Sequence, residues 1–150
     1  MLLVAWLAIF SGHALGQEAV EFKVQDSITA KAQVIGASVK ILIEDKDSTH
    51  HQEIITDSER ALNLETEDYN FDGLKDISIS HIDEGKGVFL VSRIYIYSTA
   101  NKKFIEQQPA CGDEFINLKL NKTKKTLSSI YYAQNTPKMC TTRLTRLASN

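Results

Sequence analysis

From Val39 onward the chain reads as short apolar runs with a period of two, separated by polar breaks. Val39-Lys40-Ile41-Leu42-Ile43-Glu44 is rich in β-branched residues, and Asp45-Lys46-Asp47-Ser48 is turn material. His51 to Thr56 then returns as a partner strand, which predicts a hairpin. Ile77, Ile79 and His81 alternate with Ser78 and Ser80, the signature of a half-buried strand. Asp83 to Gly87 breaks this pattern, and Val88 to Tyr97 is a long apolar run with Arg93 as its only charge. Ser98 to Lys103 predicts a turn before Phe104-Ile105-Glu106. Phe115 to Leu120 alternates, Asn121 to Lys125 is a basic turn, Thr126 to Tyr132 is a further strand, and Cys140 to Leu147 is expected as the last. Strands at this spacing predict an all-β, single antiparallel domain: a sandwich, a partial barrel or a propeller-like sheet. Ser58–Leu64 and the neighbourhood of Gly112–Phe115 leave room for a short helix.

The chain is expected to divide into a leader, residues 1–16, and one β-rich domain, residues 17–150. Met1 to Phe10 is almost wholly apolar and carries no acid or base. Ser11-Gly12-His13-Ala14-Leu15-Gly16 places small residues where a signal peptidase would cut, after Gly16. An apolar run of about ten residues is too short to span a bilayer, so secretion without a stable membrane anchor is expected. The remainder is long enough for one hydrophobic core. Its two cysteines, Cys111 and Cys140, are expected to pair in an oxidising compartment. Closing that loop stabilises the fold by roughly 3–4 kcal/mol on the chain-entropy model.

Charge is unevenly spread. Thirteen acids lie between Glu44 and Glu84 against Lys46, Arg60 and Lys75, whereas from Phe115 onward there are seven bases and no acid. Two outcomes follow: steering of an oppositely charged partner, or mutual neutralisation of the two segments in the folded chain. The basic segment lacks the interleaved aromatics of a nucleic-acid surface, and no nucleic-acid partner is expected.

One stretch reads as a ligand set. In Asp68-Tyr69-Asn70-Phe71-Asp72-Gly73-Leu74-Lys75-Asp76, oxygen side chains recur at alternate positions, and a glycine supplies a tight bend. Asp-Gly is also ordinary turn chemistry. A turn, however, has no use for Asp68 and Asp76 on either side, and clustered carboxylates repel unless a cation lies between them. Calcium is the expected cofactor, with side chains of Asp68, Asn70, Asp72 and Asp76 and the Leu74 carbonyl as ligands. The EF-hand pattern asks for a glutamate at position twelve; Ile79 stands there, so this is a calcium loop of another kind, leading into a strand.

The segment from Glu67 to Phe104, with its loop, its aromatic-rich strand Phe89-Leu90-Val91-Ser92-Arg93-Ile94-Tyr95-Ile96-Tyr97 and Lys103-Phe104, resembles a group of exported bacterial envelope proteins that bind calcium through this loop. The loop is also similar to those of FG-GAP propeller repeats. Some members of the group are immunity proteins that block lysozyme-like, peptidoglycan-cleaving toxins and look like periplasmic lysozyme inhibitors. The lipid-attachment cysteine of some relatives is absent, which implies a soluble periplasmic form. Ser128-Ser129-Ile130-Tyr131-Tyr132 is a distant echo of the Ser-Gly loop of one inhibitor class.

The resemblance implies a periplasmic inhibitor or immunity protein that occludes the cleft of a cell-wall hydrolase, with calcium holding the scaffold. Candidate contact residues are Asp83, Glu84 and Lys86 in the Asp83–Gly87 loop, and Tyr131 and Tyr132, because aromatic anchors dominate interface energetics. The alternative is a calcium-stabilised secreted binding module for glycan, adhesion or envelope assembly. No catalytic residue pair is singled out, and an enzyme is not expected. His50 and His51 with Glu53 form a weak metal candidate, since adjacent strand residues point to opposite faces.

Overall fold

Val20, Phe22 and Val24 alternate with Glu21, Lys23 and Gln25, and this period opens a sheet that continues through three more strands. The computed structural model describes residues 19–83, 85 and 88–147. The expected leader and its cut lie outside these residues, as do Glu84 and Lys86. Strands β1 (Val20–Gln25), β2 (Ile28–Ile35), β3 (Ser38–Glu44) and β4 (Thr49–Ile55) form an antiparallel meander in that order. Strands β5 (Asn63–Glu67), β6 (Asp76–Asp83), β7 (Phe89–Ser98), β8 (Lys103–Gln107), β9 (Phe115–Asn121), β10 (Thr126–Ala133) and β11 (Thr136–Thr142) form the second sheet. Its order is β11-β10-β9-β7-β6-β5, with β8 also on β7. The long β7 pairs with β6 along one edge, while β8 and β9 share the other, at Ile94–Ser98 and Val91–Ser92.

Among the described residues the architecture is therefore all-β, with two antiparallel sheets of four and seven strands and no closed barrel. The described residues contain no helix, so the short helices expected near Ser58–Leu64 and Gly112–Phe115 are corrected. Leu62 is instead buried in the core, and Asn63 already begins β5. The last strand is also corrected: it is Thr136–Thr142, not Cys140–Leu147. Gln134 (φ 50) and Asn135 (φ 62) both take left-handed backbone, giving a two-residue hairpin closed by Ala133 and Thr136. The chain beyond Thr142 then leaves the sheet, and Leu144 and Leu147 pack beneath it.

Two cores result. The first joins the sheets: Val24, Ala30, Ala32, Val39, Ile41 and Ile43 face Ile77, Ile79, Tyr95, Tyr97 and Phe104. Phe104 meets Tyr97 at 5.2 Å and Phe22 at 6.2 Å between ring centroids, so one side chain touches both layers. Burying each large apolar side chain contributes about 1.5–3 kcal/mol. Gln52 ties β4 to β8 as well: its amide accepts the Phe104 N–H and donates to the Phe104 carbonyl, both at 2.8 Å. The second core lies on the opposite face of the larger sheet and contains Tyr69, Ile94, Ile96, Phe115 and Leu127. That sheet curls enough for Lys122, in the β9–β10 turn, to reach Glu67 on β5 at 3.2 Å.

The cysteine pairing is as expected: Cys111 and Cys140 form a disulfide with Cα atoms 5.9 Å apart. It fastens the segment before β9 onto β11, where a Cβ on Gly112 would come within 3.1 Å of the Tyr131 Cβ. At the free edge of β11, Pro137 and Lys138 are both exposed, a composition that discourages strand addition.

Candidate functional site

The acidic loop connects β5 to β6 and runs straight into a strand, as its sequence implies. Phe71 (φ 61) and Gly73 (φ 90) supply the left-handed turns that curl it. Asp68 sits at its base, with Oδ1 accepting the Asp72 N–H at 3.0 Å and Oδ2 accepting the Gly73 N–H at 2.8 Å. Asn70 is buried; its Oδ1 accepts the Asp72 N–H at 3.2 Å and its amide donates to Asp72 Oδ2 at 3.0 Å. Asp72 Oδ1 accepts the Leu74 N–H at 2.9 Å. Leu74 packs its side chain against the first core.

Asp76 is the unusual member. It is 0% exposed, and it accepts the Tyr69 N–H at 2.8 Å and the Tyr97 N–H at 3.0 Å. Burial pushes its carboxyl up to about 7; the two amides pull against that, and the charges of Asp72 and Asp68 add to it. Tyr69 leaves the loop to enter the second core, where burial pushes its phenol up to about 12 despite a hydrogen bond with Ser78.

Two segments distant in sequence, one before the loop and one after it, clasp it. The Lys75 N–H donates to the Val24 carbonyl at 3.0 Å. Arg146 donates from Nη2 to the Asp72 carbonyl at 3.0 Å, and its Nε lies 3.6 Å from Asp72 Oδ2. With Lys122 on Glu67, these contacts show part of the acidic excess neutralised by the basic end of the same chain. An all-oxygen donor set suits a hard cation such as calcium. In the arrangement present, backbone amides and Arg146 hold those oxygens. Among the described residues, no three His, Cys, Asp or Glu side chains converge as a metal cage. His50 and His51 do point apart: His50 contacts the Ser48 hydroxyl at 2.9 Å, whereas His51 lines the outer face of the smaller sheet.

The contact candidates separate and recombine. Tyr131 lies under Gly112, whereas Tyr132, its neighbour, points to the other face and is 45% exposed. Phe89 meets Tyr132 edge-on at 6.0 Å. Asp83, Gly85, Phe89, Ile116 and Tyr132 line one open groove of about 420 Å³. Asp83 accepts the Gly85 N–H at 2.8 Å, which shapes the start of that rim. A cross-strand row leads outward from here: buried Val91, then Ile116, Ile130 and Met139, the last 68% exposed. Along this row burial falls from Val91, through half-buried Ile116 and Ile130, to exposed Met139.

Phe89 and Ile116 were not anticipated as site residues. Their strands were legible, but the bulge that aligns them was not: Asn117 (φ 51) interrupts β9 and accepts the Leu90 N–H at 3.0 Å. Compared with protein-family models, curated proteins and solved structures, the chain matches none.

Proposed function

We propose that this protein is an exported inhibitor, of the immunity type, that binds a lysozyme-like cell-wall hydrolase and occludes its cleft. The carrying observation is the groove in which Asp83 and Tyr132, distant in sequence, line one opening with Phe89 and Ile116. An apolar opening with a carboxylate at its rim suits protein docking, because aromatic anchors in formed pockets provide most interface energy. The disulfide fastens the segment before β9 onto β11, beside the β9 and β10 residues of the groove, which would lower the ordering cost of association. No helix among the described residues is long and apolar enough to cross a membrane, and a disulfide is at home in an oxidising compartment.

Calcium has a structural role in this reading. Asp68, Asn70, Asp72 and Asp76, with the Leu74 carbonyl, would hold it; the ion would supply positive charge between carboxylates and no chemistry. The test is clearing of a peptidoglycan suspension by lysozyme-like hydrolases, including any toxin encoded beside this gene, with and without the protein. Inhibition that weakens at least tenfold in Tyr132→Ala supports the reading. A panel in which no hydrolase is slowed or retained by the protein rejects it. Calorimetric titration with Ca²⁺ tests the loop: wild type binds one ion, and Asp68→Ala does not.

A further inference from the structure

The outer face of the smaller sheet, turned away from both cores, carries a groove of about 500 Å³. Strand register sets its side chains in two rows across β2, β3 and β4: Lys31, Leu42 and His51, then Gln33, Lys40 and Glu53. Leu42 forms a half-buried apolar floor between the two lysines. Lys31 and Lys40 are diagonal neighbours, roughly 7–8 Å apart on a sheet. Glu21 stands opposite Lys31 and Glu53 opposite Lys40 in the register, yet neither lysine forms an ion pair among the described residues. Elsewhere Lys75, Lys102, Lys122, Arg93 and Arg146 each meet a carboxylate within 4 Å. Among the described residues, the groove therefore presents two exposed ammonium groups without an ion-pair partner.

We infer that this groove binds a linear oligosaccharide carrying carboxylates. Lysine ammonium groups act as compact point charges that accept a carboxylate without a fixed approach geometry. Two of them, spaced along an open trough, match anions repeated along a chain. Sugar hydroxyls both donate and accept, and His51 beside Glu53 offers both partners. Leu42 gives the C–H face of a sugar ring an apolar seat. A phosphate ligand would call for an arginine fork or converging backbone amides, and no arginine lines the groove. The site shares no residue with the Phe89–Tyr132 groove and does not depend on the inhibitor reading.

The experiment is a titration of the full exported chain with a linear tetra-uronate, followed by amide chemical shifts and calorimetry. A neutral tetrasaccharide of the same linkage serves as comparison. The expected result is saturable binding, with shifts confined to β2, β3 and β4. The double variant Lys31→Ala/Lys40→Ala should weaken it by about tenfold or more, given the loss of two charge-assisted contacts. Lys124→Ala/Lys125→Ala, in the exposed β9–β10 turn, should bind as wild type. Since all four positions are exposed, thermal unfolding confirms that each variant folds. Absence of saturable binding overturns the proposal. So does equal binding of the neutral sugar, equal loss in both double variants, or shifts that map elsewhere.

Discussion

Asp76→Asn separates the charge of the buried carboxylate from its hydrogen bonds. The side chain is fully buried, and its carboxyl, ordinarily near 3.8, is raised to about 7. Between those values the folded chain holds a proton that the unfolded chain has released, so folding loses stability as pH rises. With each unit equivalent to about 1.4 kcal/mol, the loss from below pH 4 to above pH 7 totals about 4 kcal/mol. Asparagine cannot ionise, but it offers one acceptor to two buried N–H groups and turns a donor toward the other, a loss of roughly 1–3 kcal/mol. The variant should thus be less stable than wild type by about that much at pH 4, and more stable by a similar amount at pH 8. Urea unfolding in EDTA across this range measures the crossing. A stability difference that stays constant with pH would refute the assignment. If the loop binds calcium as proposed, excess Ca²⁺ should also remove the wild-type decline, because the ion would favour the ionised form.

Four further outcomes follow from the packing. Phe104→Ala should lower stability by about 3–5 kcal/mol in urea unfolding, since it empties a site touching both sheets. Cys111→Ser/Cys140→Ser should lower it by roughly 3–4 kcal/mol, with equal values for wild type and variant under reducing conditions. Gln134→Gly should raise the melting temperature, because it relieves about 1 kcal/mol of left-handed strain in the β10–β11 turn. Asp45 is held well below the usual carboxylate range by the Lys102 ammonium, then by the Asp47 N–H and the Ser48 hydroxyl. Its contribution is present above the ordinary carboxylate range and disappears as pH falls through the lower folded value. The advantage of wild type over Asp45→Asn should therefore shrink in acid titration.

Strands with apolar runs or clear period-two alternation were legible, which is why β3, β6, β7, β9 and β10 fall where those runs predict. Sequence reading passed over β1 and β2 although Val20, Phe22 and Val24 alternate cleanly. In β2 the inward positions include Ala30 and Ala32, small residues that suit close packing but carry little strand preference. β5 offers only Leu64 as an apolar marker and exists through its pairing with β6. Cys140–Leu147 read as a strand because Leu144 and Leu147 are apolar. Their burial beneath the larger sheet is a tertiary fact that no local period encodes. At the loop, the residue types were legible, but not Asp76's inward turn onto the amides of Tyr69 and Tyr97. At the groove, strand alternation already parts Tyr132 from Tyr131, whereas which of the two stays exposed depends on the face the disulfide segment covers.

The clasp on the acidic loop also orders events in time. Val24 near one end and Arg146 near the other both hold it, the latter across 74 positions in sequence. Contacts between such distant partners form late, since each must close a long stretch of chain before it gains anything. The hairpin of β5 and β6 can pair locally, but its tip stays unfastened until Val24 and Arg146 have both docked. The loop is then the final latch of folding: replacing Arg146 alone would leave both cores in place and Asp72 unclasped.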